Sequence, residues 1–517
     1  MVSWSSFGTS WVKVNLIRAV VLSSAAHGAT SSSNSSLVVH LPSFGSFAGT
    51  KLSTTISGYP LAAPVDVWYG IEYAEQPTGD LRFSPVQRPS AFNGTRNAKA
   101  YGKFCIQEPG NSNLVTYIKT GLTYGEDCLN LNVYRPSGVS PDKKLPVLVW
   151  IHGGLFRNGA GIIFDGASFV AASTKPLIVV TLNYRLAALG FLASLVFSKL
   201  GIDNIGLQDQ HQLLRFVHKY VSSFGGDPER ITLGGKSAGA HSVGFHYQNH
   251  FAPGEELFHL QYSNQFEQFV ERVGCQINET AETQLVCLRA VDAELIEKTA
   301  TRLLADYRYN DTHPFQPGSM YVPTNLTADD EAWAWFSNLY TGLDQSDRHF
   351  FNRLYPDPQT NSVSPYVSSR GQSAQFTRLS DAYGDTTYIS VAQDLASRLS
   401  EEGLPVWKMH WNTNNSITPY LGISHDADVL YAWAEPDTQY PEAGTVLAGY
   451  YASFVVSGDP NAYKASNALE WNRYDHPGSD GLVWQVKVDA SGTRIERDDI
   501  RRDALEYWRA IPKKLDH

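Results

Sequence analysis

The chain has 517 residues, a formal net charge of −10, and a composition that is 43% hydrophobic and 18% charged. That balance excludes an intrinsically disordered chain and supplies material for a large core. The basic residues are scattered, so there is no electrostatic footprint for nucleic acid or an anionic membrane, and no apolar run reaches the roughly 18 to 20 residues that span a bilayer.

In chain order, the first apolar stretch, Ala19 to Ala26, follows Lys13 and Arg18 and runs into small residues around Ala25 to Ala29. Residues 1–29 therefore read as a secretory signal peptide or, equally, as a disordered N-terminal arm. TSSSNSSL (30–37) is a polar linker, and a single folded domain is expected over 38–515. N-x-S/T sequons stand at Asn34, Asn93, Asn278, Asn310, Asn325 and Asn414. Roughly three would arise by chance in this length, so the excess points to export and glycosylation. The four cysteines allow three pairings; Cys105 and Cys128 flank one loop and Cys275 and Cys287 another, and two local bridges in that order suit an oxidising compartment.

LPVLVWI (145–151), PLIVVTL (176–182), ITL (231–233) and LPVWKMHW (404–411) read as buried strands. GLQDQHQLLRFVHKYVSSF (206–224) places Leu213, Leu214, Val217 and Val221 on one face and reads as a helix. Such alternation predicts an α/β fold, a central mostly parallel sheet flanked by helices. Its chemistry is expected on loops at the carboxyl ends of the strands.

Residues 231–243, ITLGGKSAGAHSV, carry the sharpest local signal. Gly235-Lys236-Ser237 could close a phosphate-binding loop, but that motif needs a glycine five residues earlier, where the chain has Arg230. Gly235-Lys236-Ser237-Ala238-Gly239 is instead a complete G-x-S-x-G, the elbow that exposes a nucleophilic serine between a strand and a helix. An elbow serine needs backbone donors for the oxyanion of a tetrahedral intermediate, and His152-Gly153-Gly154-Leu155-Phe156 follows the first strand in the position such a loop occupies.

Together with WYGIEYAEQPTGDLRF (68–83), GEDCLNLNVYRP (125–136), VVTLNYRLAALGFL (179–192), NIGLQDQHQLLRFVHKYVSSFGGDPERITLGGKSAGAHSV (204–243), HDADVLYAW (425–433) and FVVSGDPNAY (454–463), the chain resembles the type-B carboxylesterase/lipase family, the cholinesterase-like branch of the α/β-hydrolases. The resemblance implies Ser237 as nucleophile and His425 as general base. It implies an acid in DDEAWAW, with Glu331 the assignment and Asp330 and Asp329 the alternatives of register. It also implies oxyanion donors at the backbone N–H groups of Gly154, Leu155 and Ala238, and two loop-holding ion pairs, Arg82 with Glu126 and Arg185 with Asp209. The activity implied is that of a secreted serine esterase acting on small-molecule or lipid esters through an acyl-enzyme, with no cofactor and no metal.

The chain departs from the family pattern in four places. Lys236 replaces the usual glutamate before the serine, and Leu155 replaces the third glycine of the oxyanion loop. The strand of type AIxQSG after the elbow helix is missing: ELFHLQY (256–262) runs directly into the helical QFEQFVERVGC. The segment between PFQPGSM (314–320) and Glu331 is short. A rival reading follows, in which a catalytically weak or silent member uses the fold for binding, as adhesion-type relatives do. A complete set of triad residue types favours the enzyme.

Overall fold

The computed structural model of the protein describes residues 9–13, 37–107, 123–251, 263–309, 322–323, 325–368, 372–413, 423, 425–435, 438–475, 484–489 and 492–515. They fall into two compact units by contact: Ser10–Ala300 with Leu430–Asn467, and Thr301–Val429 with Ala468–His517, to which Thr9 also belongs.

The first unit is built on a seven-stranded sheet of β1 (Thr9–Lys13), β2 (Thr50–Thr54), β3 (Pro60–Glu72), β4 (Asn130–Pro136), β5 (Leu145–Ile151), β6 (Ile178–Leu182) and β7 (Gly226–Lys236), in the order β1-β7-β5-β6-β4-β3-β2. Its centre is parallel: β5 pairs with β6 and with β7. From β6 through β4 and β3 to β2 the pairs are antiparallel, so the sheet is mixed, with the expected parallel region confined to the strands that carry the candidate site. Every residue of β5 and β6 is buried, as continuous apolar strands covered on both faces must be. Helix α1 (Gly166–Ala172) packs on β3 and β4, and α2 (Ile205–Tyr220) and α3 (Ala238–Phe251) pack on β7. The predicted stripe of α2 lies inward: Leu213 and Val217 are buried, and the 3₁₀ turn Val221–Phe224 buries Val221 and Phe224 in the same core. Beside β7, the sheet edge where the family pattern has its AIxQSG strand is taken by β1, from the segment the sequence reads as a signal peptide or disordered N-terminal arm. Residues 252–262 lie outside the described residues.

Two buried ion pairs tie loops to this sheet. Arg185 donates through Nε and Nη2 to the two carboxylate oxygens of Asp209 at 2.8 and 2.6 Å, and the Arg185 backbone N–H adds a bond of 3.0 Å to the same carboxylate. Arg82 makes the equivalent fork with Glu126, 2.6 Å on each arm, and donates to the carbonyls of Arg289 and Val291. Cys105 is bridged to Cys128 and Cys275 to Cys287, which selects the local pairing from the three available. Asn93, Asn278 and Asn325 are exposed; Asn34, Asn310 and Asn414 lie outside the described residues.

The second unit is mainly helical. Trp333 and Phe336 of α4 (Asp329–Leu339) pack with Phe351, Tyr355 and Trp508 in an aromatic core. The stretch predicted as a strand at 404–411 is one only over β8 (Met409–Trp411), and it lies in a separate three-stranded sheet with β9 (Trp484–Asp489) and β10 (Gly492–Arg497). Polar side chains interrupt its apolar pattern: Lys408 is buried against Asp498 at 2.8 Å, and His410 pairs with Glu496 at 2.6 Å.

Asp209→Ala leaves the Arg185 guanidinium buried without its carboxylate, and a loss of about 3–5 kcal/mol in unfolding free energy is expected from urea titration. An unchanged midpoint would contradict this account of the pair.

Candidate active site

The register of the parallel pair places two loops side by side. Ile151, the last residue of β5, is level with Gly235 of β7, so the chain leaves both strands at the same height. From β7 it passes through Ser237, whose φ of 53° is left-handed, directly into α3 at Ala238. A non-glycine residue in that region costs about 1–2 kcal/mol and persists only where its surroundings fix it. Here they do. A Cβ on Gly235 would run into the Gly239 carbonyl, and one on Gly239 into the Ile151 carbonyl, so both glycines of the pentapeptide are required for the elbow helix to sit against β5.

The loop after β5 reaches the elbow itself. A Cβ on Gly153 would lie 2.6 Å from the Lys236 carbonyl oxygen and 2.8 Å from the Ser237 Cβ, which means the backbone of the loop lies against the serine. Beyond Gly153 the loop folds into a tight turn: Arg157 and Asn158 both donate backbone N–H groups to the Gly154 carbonyl at 2.9 Å. Leu155 and Phe156 have φ of 60° and 57°, two consecutive left-handed side-chain-bearing residues, and Ala187 holds the turn with an N–H to the Phe156 carbonyl at 2.7 Å. The ring of Phe156 packs on Phe191, 4.9 Å between centroids.

His152 anchors the loop. It is buried and stacks on Tyr184 at 4.4 Å, its Nδ1 donates to the Gly153 carbonyl at 2.8 Å, and the Tyr184 hydroxyl donates to the His152 carbonyl at 3.0 Å. Burial pushes its pKa down to about 4, with a smaller contribution from the Lys236 charge, so it is neutral at ordinary pH. Gln107 closes the far end: its amide donates to the carbonyls of Cys105 and Gly159 and accepts from the Gly159 N–H at 2.8 Å, coupling the loop to the Cys105–Cys128 bridge. Sequence reasoning missed Gln107; its position two residues after Cys105 was the available signal.

Lys236 is half-buried, and its ammonium sits 5.3 Å from the Phe164 ring centroid. Phe164 belongs to an aromatic group with Trp150 and Trp433 at 5.8 and 5.9 Å, so the cation rests on a ring that is itself fixed by packing. Close by in the same unit, burial with a contribution from Asp165 raises Glu435 to about 8. Ala238, third of the assigned oxyanion donors, is buried at the first position of α3, where the backbone N–H has no partner within the helix. Gly154 and Leu155 are half-buried on the loop opposite.

The remaining assigned residues lie in the second unit. His425 is largely buried, at the start of a turn closed by the Val429 N–H to the Asp426 carbonyl at 3.2 Å. The acidic run 329–331 forms the first turn of α4, where negative charge complements the helix dipole. Asp329 is bound by Arg348, Arg378 and Asn352 at 2.7, 2.7 and 3.1 Å, and Asp330 by Arg348. Glu331 is exposed, and its Oε2 accepts the backbone N–H groups of Thr327 and Ala328 at 3.0 and 3.1 Å, which hold its pKa below the ordinary glutamate value. The structure thus engages Asp329 and Asp330 with side chains of neighbouring helices and Glu331 within its own turn, and does not bring Glu331 into hydrogen-bond contact with His425. Among the described residues no group of three or more His, Cys, Asp or Glu is placed to hold a metal ion, and no helix is long and apolar enough to cross a membrane.

A sequence profile of the carboxylesterase family matches residues 35–364. Secreted lipase 4 of Gibberella zeae is 37% identical over 91% of this chain and 93% of its own length. Lipase 2 of Geotrichum candidum is 27% identical over 88% of this chain and 93% of its own. Among solved structures, the crystal structure of EstA from Aspergillus niger matches with a TM-score of 0.75 at 25% identity, covering 94% of this chain and all of that one. Likeness of this extent, along nearly the whole of both chains, reflects common descent: the chain belongs to the carboxylesterase family, with its α/β-hydrolase fold, and is a carboxylic ester hydrolase.

Proposed function

We propose that the protein is a secreted, glycosylated serine esterase that works through an acyl-enzyme on small-molecule or lipid esters. The observation that carries the mechanism is the approach of the Gly153 backbone to Ser237. It fixes the nucleophile and a set of backbone donors together before any substrate arrives, and donors that need no reorganisation are worth several kcal/mol to a transition state in which an oxyanion forms. Export is supported by the two disulfides, the exposed sequons and the relatives named as secreted lipases.

In this mechanism Ser237 Oγ attacks the ester carbonyl and its proton passes to His425. The carbonyl oxygen takes up negative charge and accepts from the N–H groups of Gly154, Leu155 and Ala238. Collapse expels the alcohol, which leaves with the proton from His425 and leaves the acyl group on Ser237. Water, deprotonated by His425, then attacks the acyl carbonyl, and collapse breaks its bond to Ser237 Oγ, which takes the proton back from His425 as the acid leaves. Glu331 is the acid assigned to orient the imidazole, and to do so it exchanges its two backbone partners at the start of α4 for His425.

Hydrolysis of p-nitrophenyl esters from acetyl to palmitoyl by the secreted glycoprotein tests the reading, with Ser237→Ala as control. A loss of roughly 10³-fold or more in kcat is expected in the variant; a folded wild-type protein without activity, or a variant with full activity, sinks the proposal. Gly153→Ala places a methyl group between the loop and the serine, and a fall in kcat of roughly 10²-fold with a retained fold is expected. Native activity in that variant would show that the loop can retreat without cost. Lys236→Glu restores the charge usual at this position, which favours the imidazolium in the transition state, so kcat should rise; an unchanged or lower kcat rules out this electrostatic explanation.

A further inference from the structure

A peptide unit is planar and trans, so its C=O and N–H point in opposite directions, and a bond that holds the carbonyl also aims the amide. Each of the three assigned oxyanion donors is held in this way. The Ser237 carbonyl, opposite the Ala238 N–H, accepts from the His241 N–H at 3.0 Å. The Gly154 carbonyl, opposite the Leu155 N–H, accepts from Arg157 and Asn158 at 2.9 Å. The Gly153 carbonyl, opposite the Gly154 N–H, accepts from His152 Nδ1 at 2.8 Å. The first two sets are backbone bonds that come with the helix and the turn. The third comes from a side chain, and so depends on what keeps that side chain in place.

Gly159 keeps it there. Its φ is 116°, and a Cβ at this position would run into both His152 Nδ1 and the Gly153 carbonyl oxygen, so its backbone lies against the bond between them. One amide grips Gly159 by both of its polar groups. Gln107 Oε1 accepts the Gly159 N–H at 2.8 Å, and Gln107 Nε2 donates to the Gly159 carbonyl at 2.9 Å and to the Cys105 carbonyl at 3.0 Å. Gln107 is buried, and Cys105 is tied to Cys128 by the disulfide.

We propose that Gln107 is a positioning residue for the oxyanion hole: through Gly159 it fixes the bond from His152 to the Gly153 carbonyl, and so aims the Gly154 N–H at the carbonyl oxygen of the ester. The inference rests on the reading of Gly154 as an oxyanion donor. The role needs a donor and an acceptor on one planar group, which an amide supplies and a carboxyl supplies only when protonated.

Gln107→Ala removes both bonds, and Gln107→Glu keeps the shape. A whole oxyanion donor is worth about 10²–10³ in kcat, and misaiming forfeits part of that. Expected for Gln107→Ala on p-nitrophenyl acetate is therefore a roughly ten- to hundred-fold fall in kcat with KM unchanged. In Gln107→Glu the carboxyl is buried against the carbonyls of Cys105 and Gly159, which raises its pKa. Above the His152 pKa of about 4, its kcat should stay close to that of wild type while the acid is protonated, and fall away from it as rising pH ionises the acid. Both variants are compared with wild type on protein shown by circular dichroism to be folded at each pH. An unchanged kcat in Gln107→Ala, or a ratio to wild type independent of pH in Gln107→Glu, overturns the role, because a purely structural glutamine would move the unfolding midpoint and not the turnover of folded protein. If Gln107→Ala does not fold, the pH profile of Gln107→Glu decides. Hydrolysis that persists in Ser237→Ala overturns the esterase reading and this role with it; Ser237-dependent hydrolysis with native kcat in the Gln107 variants overturns this role by itself.

Discussion

Position 153 has no room for a side chain, and most of the candidate site depends on that fact. The nearest obstacles to a Cβ there are the Lys236 carbonyl oxygen and the Ser237 Cβ, atoms of the elbow that cannot move without moving β7. The parallel register of β5 and β7, with Ile151 level with Gly235, sets how far each strand carries its loop. The glycines at 235 and 239 let α3 close against β5, and Ser237 is thereby held in its left-handed conformation. Strain at Ser237, Leu155 and Phe156 is sustained because the surrounding sheet over-determines these positions. The stability of the sheet and the geometry of the site are the same packing seen at two scales.

Charge is distributed so that the centre of this arrangement holds few ions. Arg185 with Asp209 and Arg82 with Glu126 are satisfied by bidentate geometry and neighbouring carbonyls, and they hold loops. His152, buried beneath the glycine-rich loop after β5, is kept neutral by burial. Two charges adjoin the assigned residues in sequence: Lys236 before Ser237, with its ammonium on the Phe164 ring, and Asp426 after His425.

The parallel centre of the sheet was legible because its strands are continuous apolar runs with glycine-rich exits; LPVLVWI is β5 residue for residue. The strained turn between β7 and α3 was legible from its pentapeptide, and the glycine-rich loop packed against it from its place after β5. The antiparallel half was less so, since β3 and β4 carry mixed residues whose partners are set by long-range pairing. The stretch 404–411 misled because LPVW is apolar yet irregular, the strand beginning only at Met409. The occupancy of the sheet edge by Thr9–Lys13 could not be read from sequence, as an edge place is decided by which segment is available to fill it. The acidic run 329–331 resisted a register because three carboxylates on one exposed helical turn differ only in what they bind, and here arginines and backbone amides take them all.

The most direct test of the central claim is a crystal structure of the protein after reaction with a phosphonate ester, which leaves a tetrahedral phosphorus on the attacked side chain. The account predicts a single adduct on Ser237 Oγ, with one phosphoryl oxygen about 2.7–3.1 Å from the backbone nitrogens of Gly154, Leu155 and Ala238, and the loop unmoved. An adduct whose oxygen points away from those nitrogens, or a loop that rebuilds to meet it, would contradict the claim that the site is formed in advance by the packing of Gly153 against the elbow.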